Sequence, residues 1–223
     1  KVNLQKALEV SCNTYFINLG QKLGAEKLIE TSSLLGFGQS CKLADGIISE
    51  SGILPTVDEL KNPAALANFS FGQGSFTATP LQIAQMLCAV ANGGNYCEPY
   101  LVESVTDRSG IENKHKKKYP TVAMSAESSK TMLRMLTSVV EKGNASPARP
   151  EKFSAAGKTA TAQTGIFDKK GNEICNTWFG GCFPAENPQY VAVIMKQGGS
   201  SGAYDCAPIF KKIADSMNFF ENS

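Results

Sequence analysis

Apolar residues recur every three or four positions in the first part of the chain, which is the spacing of an amphipathic helix. The pattern predicts helices over residues 3–10, 14–24 and 25–38, with a polar break at residues 11–13 between the first two. Residues 40–79 are rich in Gly, Ser, Pro and Asn, and this composition predicts irregular loop.

The middle of the chain has the clearest signals for helices. Thr79 and Pro80 are a favoured cap and a favoured first helical residue, and the helix they begin is predicted to stop at residues 92–94. A second helix, with a serine cap, is predicted over residues 125–142. Between the two helices, residues 99–107 alternate between apolar and polar as a strand does.

The last quarter of the chain changes to a period of two. Residues 157–164, 174–185 and 189–197 are rich in β-branched and aromatic residues and are separated by turn residues, so they predict three antiparallel strands. A final helix is expected over residues 207–219, where it could cover the sheet. Helices followed by strands and a last helix form an α+β pattern, so we expect a helical lobe and an antiparallel sheet lobe with a cleft between them.

Composition and charge exclude several classes of protein. The 223 residues are 42% hydrophobic and 19% charged, which is ordinary for a globular domain. A net charge of +2 gives no reason to expect a nucleic-acid partner. Seven cysteines without a C-x-x-C pair and a single histidine give no zinc pattern, so no metal is expected. No stretch approaches the roughly 18 apolar residues of a membrane span.

Two short motifs carry groups that can do chemistry. Ser11 and Asn13 stand at a helix junction, where a hydroxyl and a carboxamide can face one cleft, although both residue types are also common helix caps. In "FSAAGKTATAQTG", Lys158 stands at a strand start with Thr159 and Thr161 beside it. A ligand can lie along such a strand edge, the lysine favours an anionic one, and the backbone N–H of Thr161 could face an oxyanion. The alternative is an ordinary edge strand whose threonines reflect β-propensity.

A third stretch, "FGQGSFTATPLQIAQM", has glycines at 72 and 74 that imply a special backbone conformation before the helix. The order S-x-N, then G-Q-G-x-x-x-x-T-P-L-Q, then K-T-x-T-A-Q resembles the transpeptidase domain of penicillin-binding proteins, most closely the class B type of cell division and sporulation. The resemblance covers nearly the whole chain as a single domain. It implies the fold of serine β-lactamases and D,D-peptidases, with residues 1–150 as mainly helical lobe and loops and residues 151–223 as sheet lobe with a C-terminal helix.

The resemblance also implies an activity and a set of roles. Family members acylate a serine with the D-Ala-D-Ala end of a peptidoglycan stem peptide, and β-lactam antibiotics are trapped at the same serine. Ser11 would join the proton relay to the leaving amine, and Asn13 would hydrogen-bond the stem peptide. Lys158 would supply positive charge near the nucleophile, Thr159 would bind the substrate carboxylate, and the N–H of Thr161 would form half of the oxyanion hole. No cofactor is implied.

The chain departs from the family's pattern in two ways. Ala160 stands where the family usually has glycine, which we expect to make the site more selective or slower. No serine in the 223 residues is followed three positions later by lysine, so the family's nucleophile and general base are missing. The resemblance therefore implies the C-terminal portion of the domain, without its first strands and its nucleophile helix, which would be inactive alone.

The intact parent protein is expected to be anchored to a bacterial membrane and to act on its extracytoplasmic face. Two alternatives stay open on the sequence. One is a β-lactam sensor or serine β-lactamase of the same fold, although the loop-rich middle and the T-P-L-Q stretch favour a transpeptidase. The other is a non-catalytic scaffold that binds partner proteins at the septum or the spore envelope.

Overall fold

The computed structural model describes residues 2–217 and begins with three consecutive helices. These are α1 (Leu4–Glu9), α2 (Asn13–Leu23) and α3 (Ala25–Leu34). The predicted break between the first two is present, but Asn13 does not cap α2, because Cys12 is the N-cap and Asn13 is already helical. The third helix ends four residues earlier than predicted, since Gly36 and Gly38 both have positive φ and turn the chain away.

The prediction of irregular loop for residues 40–79 is wrong in part. Asn62 caps a short helix with its side chain, and Pro63 is the first helical residue, so a regular start signal lies inside the loop-like composition. The regular elements of this segment are the hairpin strands β1 (Lys42–Ala44) and β2 (Ile47–Ile48), a 3-10 turn (Glu59–Lys61) and α4 (Pro63–Phe69).

The two helices of the middle section are confirmed as α5 (Pro80–Ala91) and α6 (Ala126–Lys142). Thr79 and Gln82 form a reciprocal capping box at the start of α5. The predicted strand over residues 99–107 is much shorter than expected. Four short strands lie between the helices and pair as β3 (Asn95–Tyr96) with β6 (Thr121–Val122) and β4 (Ser104–Thr106) with β5 (Glu112–Lys114).

The last quarter forms the predicted antiparallel sheet, in the order β7 (Ala156–Phe167), β8 (Glu173–Phe183) and β9 (Tyr190–Gly199). A short helix, α7 (Gly202–Asp205), leads into α8 (Ala207–Asp215). α8 ends before residue 219, and residues 218 and 219 lie outside the described range. Within the described chain, β7 pairs with β8 alone among the strands, so its other side is an edge of the sheet.

Helices cover both faces of this sheet. Gly180 of β8 faces α5, because a Cβ at Gly180 would lie 2.8 Å from a Leu87 methyl group. Its neighbour Phe179 faces α8, where its ring lies 4.5 Å from that of Phe210. The two sides of the sheet thus meet separate apolar clusters, which is the packing of an α+β domain.

Candidate active site

Ser11 lies in the turn between α1 and α2 and has an unusual backbone. Its φ of 53° makes it the one non-glycine residue with positive φ in the described part of the chain. The left-handed conformation costs a residue with a side chain about 1–2 kcal/mol, so the surrounding structure must hold it in place. The side chain that this turn presents is exposed toward the sheet lobe.

The buried carboxylate of Glu9, two residues before Ser11, helps to keep this turn in place. Glu9 accepts hydrogen bonds from Ser138 at 2.6 Å and from Gln5 and Lys6 at 3.1 Å. These bonds lower the pKa of Glu9 to about 2, with the bond from Ser138 as the largest cause. The backbone N–H of Asn144 also donates to the Glu9 carbonyl at 3.0 Å. The end of α1 is therefore fixed to α6 within two residues of Ser11.

Lys158 reaches Ser11 from the other lobe. Its Nζ lies 2.5 Å from Ser11 Oγ, a contact between residues 147 positions apart in the sequence. The same Nζ donates to the Thr159 carbonyl at 2.9 Å. Burial lowers the pKa of Lys158 to about 8, and no carboxylate among the described residues contributes to the shift. An anion that entered this site would restore stability to the charged form of the lysine.

The two threonines of the motif lie on the opposite face of the sheet from Lys158. Lys158 pairs with Gly180, which faces α5, whereas Thr159 pairs with Phe179, which faces α8. Paired residues of antiparallel strands share a face, and successive residues alternate, so Thr161 lies on the α8 side with Thr159. A ligand at the strand edge would therefore have the Lys158 amine on one side and the two threonine hydroxyls on the other.

Thr161 presents its peptide groups at that edge. Gln73 Nε2 donates to the Thr161 carbonyl at 3.3 Å, and the backbone N–H of Gln163 donates to Gln73 Oε1 at 3.4 Å. Gln73 belongs to the loop before α5 and not to the sheet, so these groups point away from β8. The N–H and the C=O of a residue in an antiparallel strand point to the same side, and the Thr161 N–H therefore also faces the free edge.

Gln73 is the site residue that the sequence did not single out. The glycines around it predicted an unusual backbone, and both Gly72 and Gly74 do have positive φ, at 80° and 85°. Nothing in the pattern G-Q-G says what the glutamine touches, because its partners lie about ninety positions later in the chain.

The remaining motif residues, Asn13 and Ala160, are both exposed. Asn13 is exposed as the first residue of α2, two positions after Ser11. Ala160 is exposed between the two threonines, and Gly202 of α7 packs against its backbone, where a Cβ would lie 2.8 Å from the Ala160 carbonyl oxygen. The structure thus brings Ser11 and Lys158 into contact, and the roles of all five motif residues stay predictions.

The described residues form neither a metal-binding cluster nor a membrane-spanning helix. Residues 2–217 hold no group of three His, Cys, Asp or Glu side chains arranged to bind a metal ion. Within the same residues, every helix is too short or too polar to cross a bilayer.

Sequence comparison and structure comparison with known proteins both point to one protein family. A family model described as "Penicillin binding protein transpeptidase domain" matches residues 1–215. Stage V sporulation protein D of Bacillus subtilis is 36% identical over 94% of this chain and 33% of its own length. Peptidoglycan D,D-transpeptidase MrdA of Acinetobacter baumannii is 30% identical over 94% of this chain and 34% of its own length.

Solved structures are similar over almost the whole chain. Penicillin-binding protein 3 of Mycobacterium tuberculosis, in complex with aztreonam, has a TM-score of 0.84 and 26% identity over 95% of this chain and 50% of its own. The D,D-transpeptidase domain of a peptidoglycan glycosyltransferase from Eggerthella lenta has a TM-score of 0.81 and 27% identity over 95% of this chain and 53% of its own. This chain spans about a third of the length of the curated relatives and about half of the solved chains.

Proposed function

Because this chain belongs to the penicillin-binding protein transpeptidase family, we propose that it is the C-terminal part of the acyl-transfer domain of a peptidoglycan D,D-transpeptidase. The observation that carries the proposal is the 2.5 Å contact between Lys158 Nζ and Ser11 Oγ. It joins the helical lobe to the edge strand at the place where the family motifs meet. The nucleophilic serine is supplied by residues outside these 223, since no Ser-x-x-Lys sequence lies within them.

The first reaction is the acylation of that serine. Its oxygen forms a bond to the carbonyl carbon between the two D-alanines of a stem peptide, the C–N bond breaks, and D-alanine leaves. Lys158 donates a hydrogen bond to Ser11 Oγ, so the proton of Ser11 is free to point into the cleft. Ser11 passes this proton to the nitrogen of the leaving D-alanine and receives the proton of the attacking serine.

The second reaction transfers the acyl group to an acceptor. An amine of a neighbouring peptidoglycan strand forms the new C–N bond, and the ester bond to the serine breaks. The proton of the amine returns along the same path to the serine oxygen. The Thr161 N–H faces the free edge, which suits one donor of an oxyanion hole, and such a donor is typically worth about 3–4 kcal/mol of barrier. Asn13 holds the stem-peptide backbone, and Lys158 and Thr159 hold the carboxylate.

The substrate class follows from the same edge. A peptide that ends in a carboxylate can pair with the free groups of β7 while its charge lies beside the desolvated Lys158. A β-lactam presents a similar amide and carboxylate and would acylate the same serine. The parent protein works on the extracytoplasmic face of a bacterial membrane, to which it is anchored.

A fluorescent penicillin tests this function. We expect it to label the full gene product covalently and to leave residues 1–223 alone unlabelled. Lys158→Ala in the full gene product should slow labelling by about a hundredfold or more, whereas Lys22→Ala, at an exposed position of α2, should not change the rate.

Three other results would contradict the proposal. Labelling of residues 1–223 alone would place a nucleophile within them. Rapid hydrolytic release of the bound drug would favour a β-lactamase, and an unlabelled full gene product would favour a non-catalytic scaffold.

A further inference from the structure

The loop that carries Gln73 is held in a defined conformation. The backbone N–H of Gln73 donates to the Asn68 carbonyl at 2.9 Å, and that of Gly72 donates to the Phe69 carbonyl at 3.0 Å, so the loop is tied to the end of α4. The positive φ of Gly72 and of Gly74 brings the chain in and out of this turn. The side chain between the two glycines is partly buried and reaches the edge of β7.

The Gln73 carboxamide imitates a peptide group of an added strand. It supplies one N–H and one C=O, and it uses them on the Thr161 carbonyl and on the N–H of Gln163, two residues further along the same edge. Only one of the two orientations of the carboxamide satisfies both partners, because a carbonyl needs a donor and an N–H needs an acceptor. A peptide that lay along β7 would use the same kind of groups.

Both bonds are long. At 3.3 and 3.4 Å they lie beyond the usual range of N–H···O hydrogen bonds, and the strand edge at Thr161 and Gln163 is exposed to solvent. Such bonds contribute little net stability and exchange readily with another donor. The carboxamide therefore covers the edge of the strand, but another hydrogen-bonding group can displace it.

We propose that Gln73 is a specificity-determining latch, which a ligand displaces from the Thr161 carbonyl when it binds. This inference rests on the proposed function, because it requires an acyl donor to lie along β7. A ligand that has its own amide N–H for the Thr161 carbonyl replaces the bond it breaks. A ligand without such a group gains nothing at this position and leaves the latch closed.

Removal of the latch should therefore favour one class of ligand. In the Gln73→Ala and Gln73→Met variants of the full gene product, we expect acylation by benzylpenicillin, which carries an acylamino N–H, to be three- to tenfold faster. Acylation by penicillanic acid, which lacks that group, should change less than twofold. The methionine variant keeps the length of the side chain, so it separates the hydrogen bonds from the space that alanine would open. Gln21→Ala, at an exposed position of α2, is the matched control.

Amide hydrogen exchange tests the latch without any acylation. The N–H of Gln163 donates to Gln73, whereas that of Ala162 points the other way, toward β8. Exchange at Gln163 should be faster in both Gln73 variants, and exchange at Ala162 should be unchanged.

The outcomes separate this inference from the proposed function. Slower acylation by benzylpenicillin in both variants, or equal acceleration with both penicillins, would overturn the competition at Thr161. Unchanged exchange at Gln163 would overturn the latch itself. A full gene product that neither penicillin acylates would contradict the proposed function, and the exchange measurement would then decide alone whether Gln73 holds the strand edge.

Discussion

Replacement of Gly202 by alanine tests how closely α7 must approach the strand that carries Lys158 and Thr161. A Cβ at this position would lie 2.2 Å from the carbonyl oxygen of Trp178 and 2.8 Å from that of Ala160. Both are backbone atoms in paired strands, so neither can rotate out of the way. The φ of Gly202 is not positive, so steric contact and not backbone conformation is what alanine changes.

The size of the effect follows from these distances. α7 and the sheet must separate by about 0.8 Å before the new Cβ reaches 3.0 Å from the nearest oxygen, and overpacking of this kind typically costs about 1–3 kcal/mol. For a protein of this size that corresponds to a fall of about 2–12 °C in Tm. Because one of the two crowded peptides is that of Ala160, next to the Thr161 N–H, acylation by a penicillin should slow as well.

Gly180→Ala is the matched control. Its Cβ would lie 2.8 Å from a methyl group of Leu87, which can turn away. Alanine also lowers the conformational entropy of the unfolded chain relative to glycine, and this favours the folded state. We expect its Tm to change by less than about 2 °C, which corresponds to a cost below about 1 kcal/mol. Calorimetry of both variants measures the difference. A Gly202→Ala protein with the wild-type Tm and acylation rate would refute the packing argument.

Two further predictions concern pH. The pKa of Lys158 is lowered from 10.5 to about 8, so between these pH values the unfolded chain keeps a proton on Lys158 that the folded chain has lost. The urea midpoint should therefore rise as the pH rises from 8 to 10.5, and Lys158→Met should flatten that rise. The pKa of Glu9 is lowered from 4.5 to about 2, so its contribution is complete above pH 4.5 and is lost as the pH falls toward 2. Glu9→Gln should therefore reduce the acid sensitivity of the urea midpoint between pH 4.5 and pH 2, and an unchanged acid limb would show that Glu9 does not anchor α1.

The sequence predicted the elements whose signals are local. α5 has a cap, a proline at its first position and a regular apolar spacing, and the three long strands have turn residues at both ends, so their positions are confirmed within a few residues. α4 was missed although Asn62 and Pro63 start it in the same way. Its seven residues are too few for a periodic pattern, and the loop-like composition around it outweighed the cap.

The arrangement of the site could not be predicted in the same way. That Ser11 and Lys158 meet depends on how the two lobes pack, and only the family resemblance was a reason to expect it. The side of the sheet on which the threonines lie follows from the register of β7 against β8, and the small and polar residues of β7 do not mark which of its faces is buried. The contact of Gln73 with the strand edge depends on both the loop and the lobe packing.

The bond between Lys158 and Ser11 also limits how the domain can move. It joins the two lobes through one ammonium and one hydroxyl, so a relative movement of the lobes by little more than an ångström would take it outside hydrogen-bonding range. The proposed proton path is thus intact only while the two lobes stay this close. If the proposed function holds, a compound that separated the lobes from a distant site would stop acyl transfer without contacting the acyl group, and an inhibitor of that kind would not need to resemble the substrate.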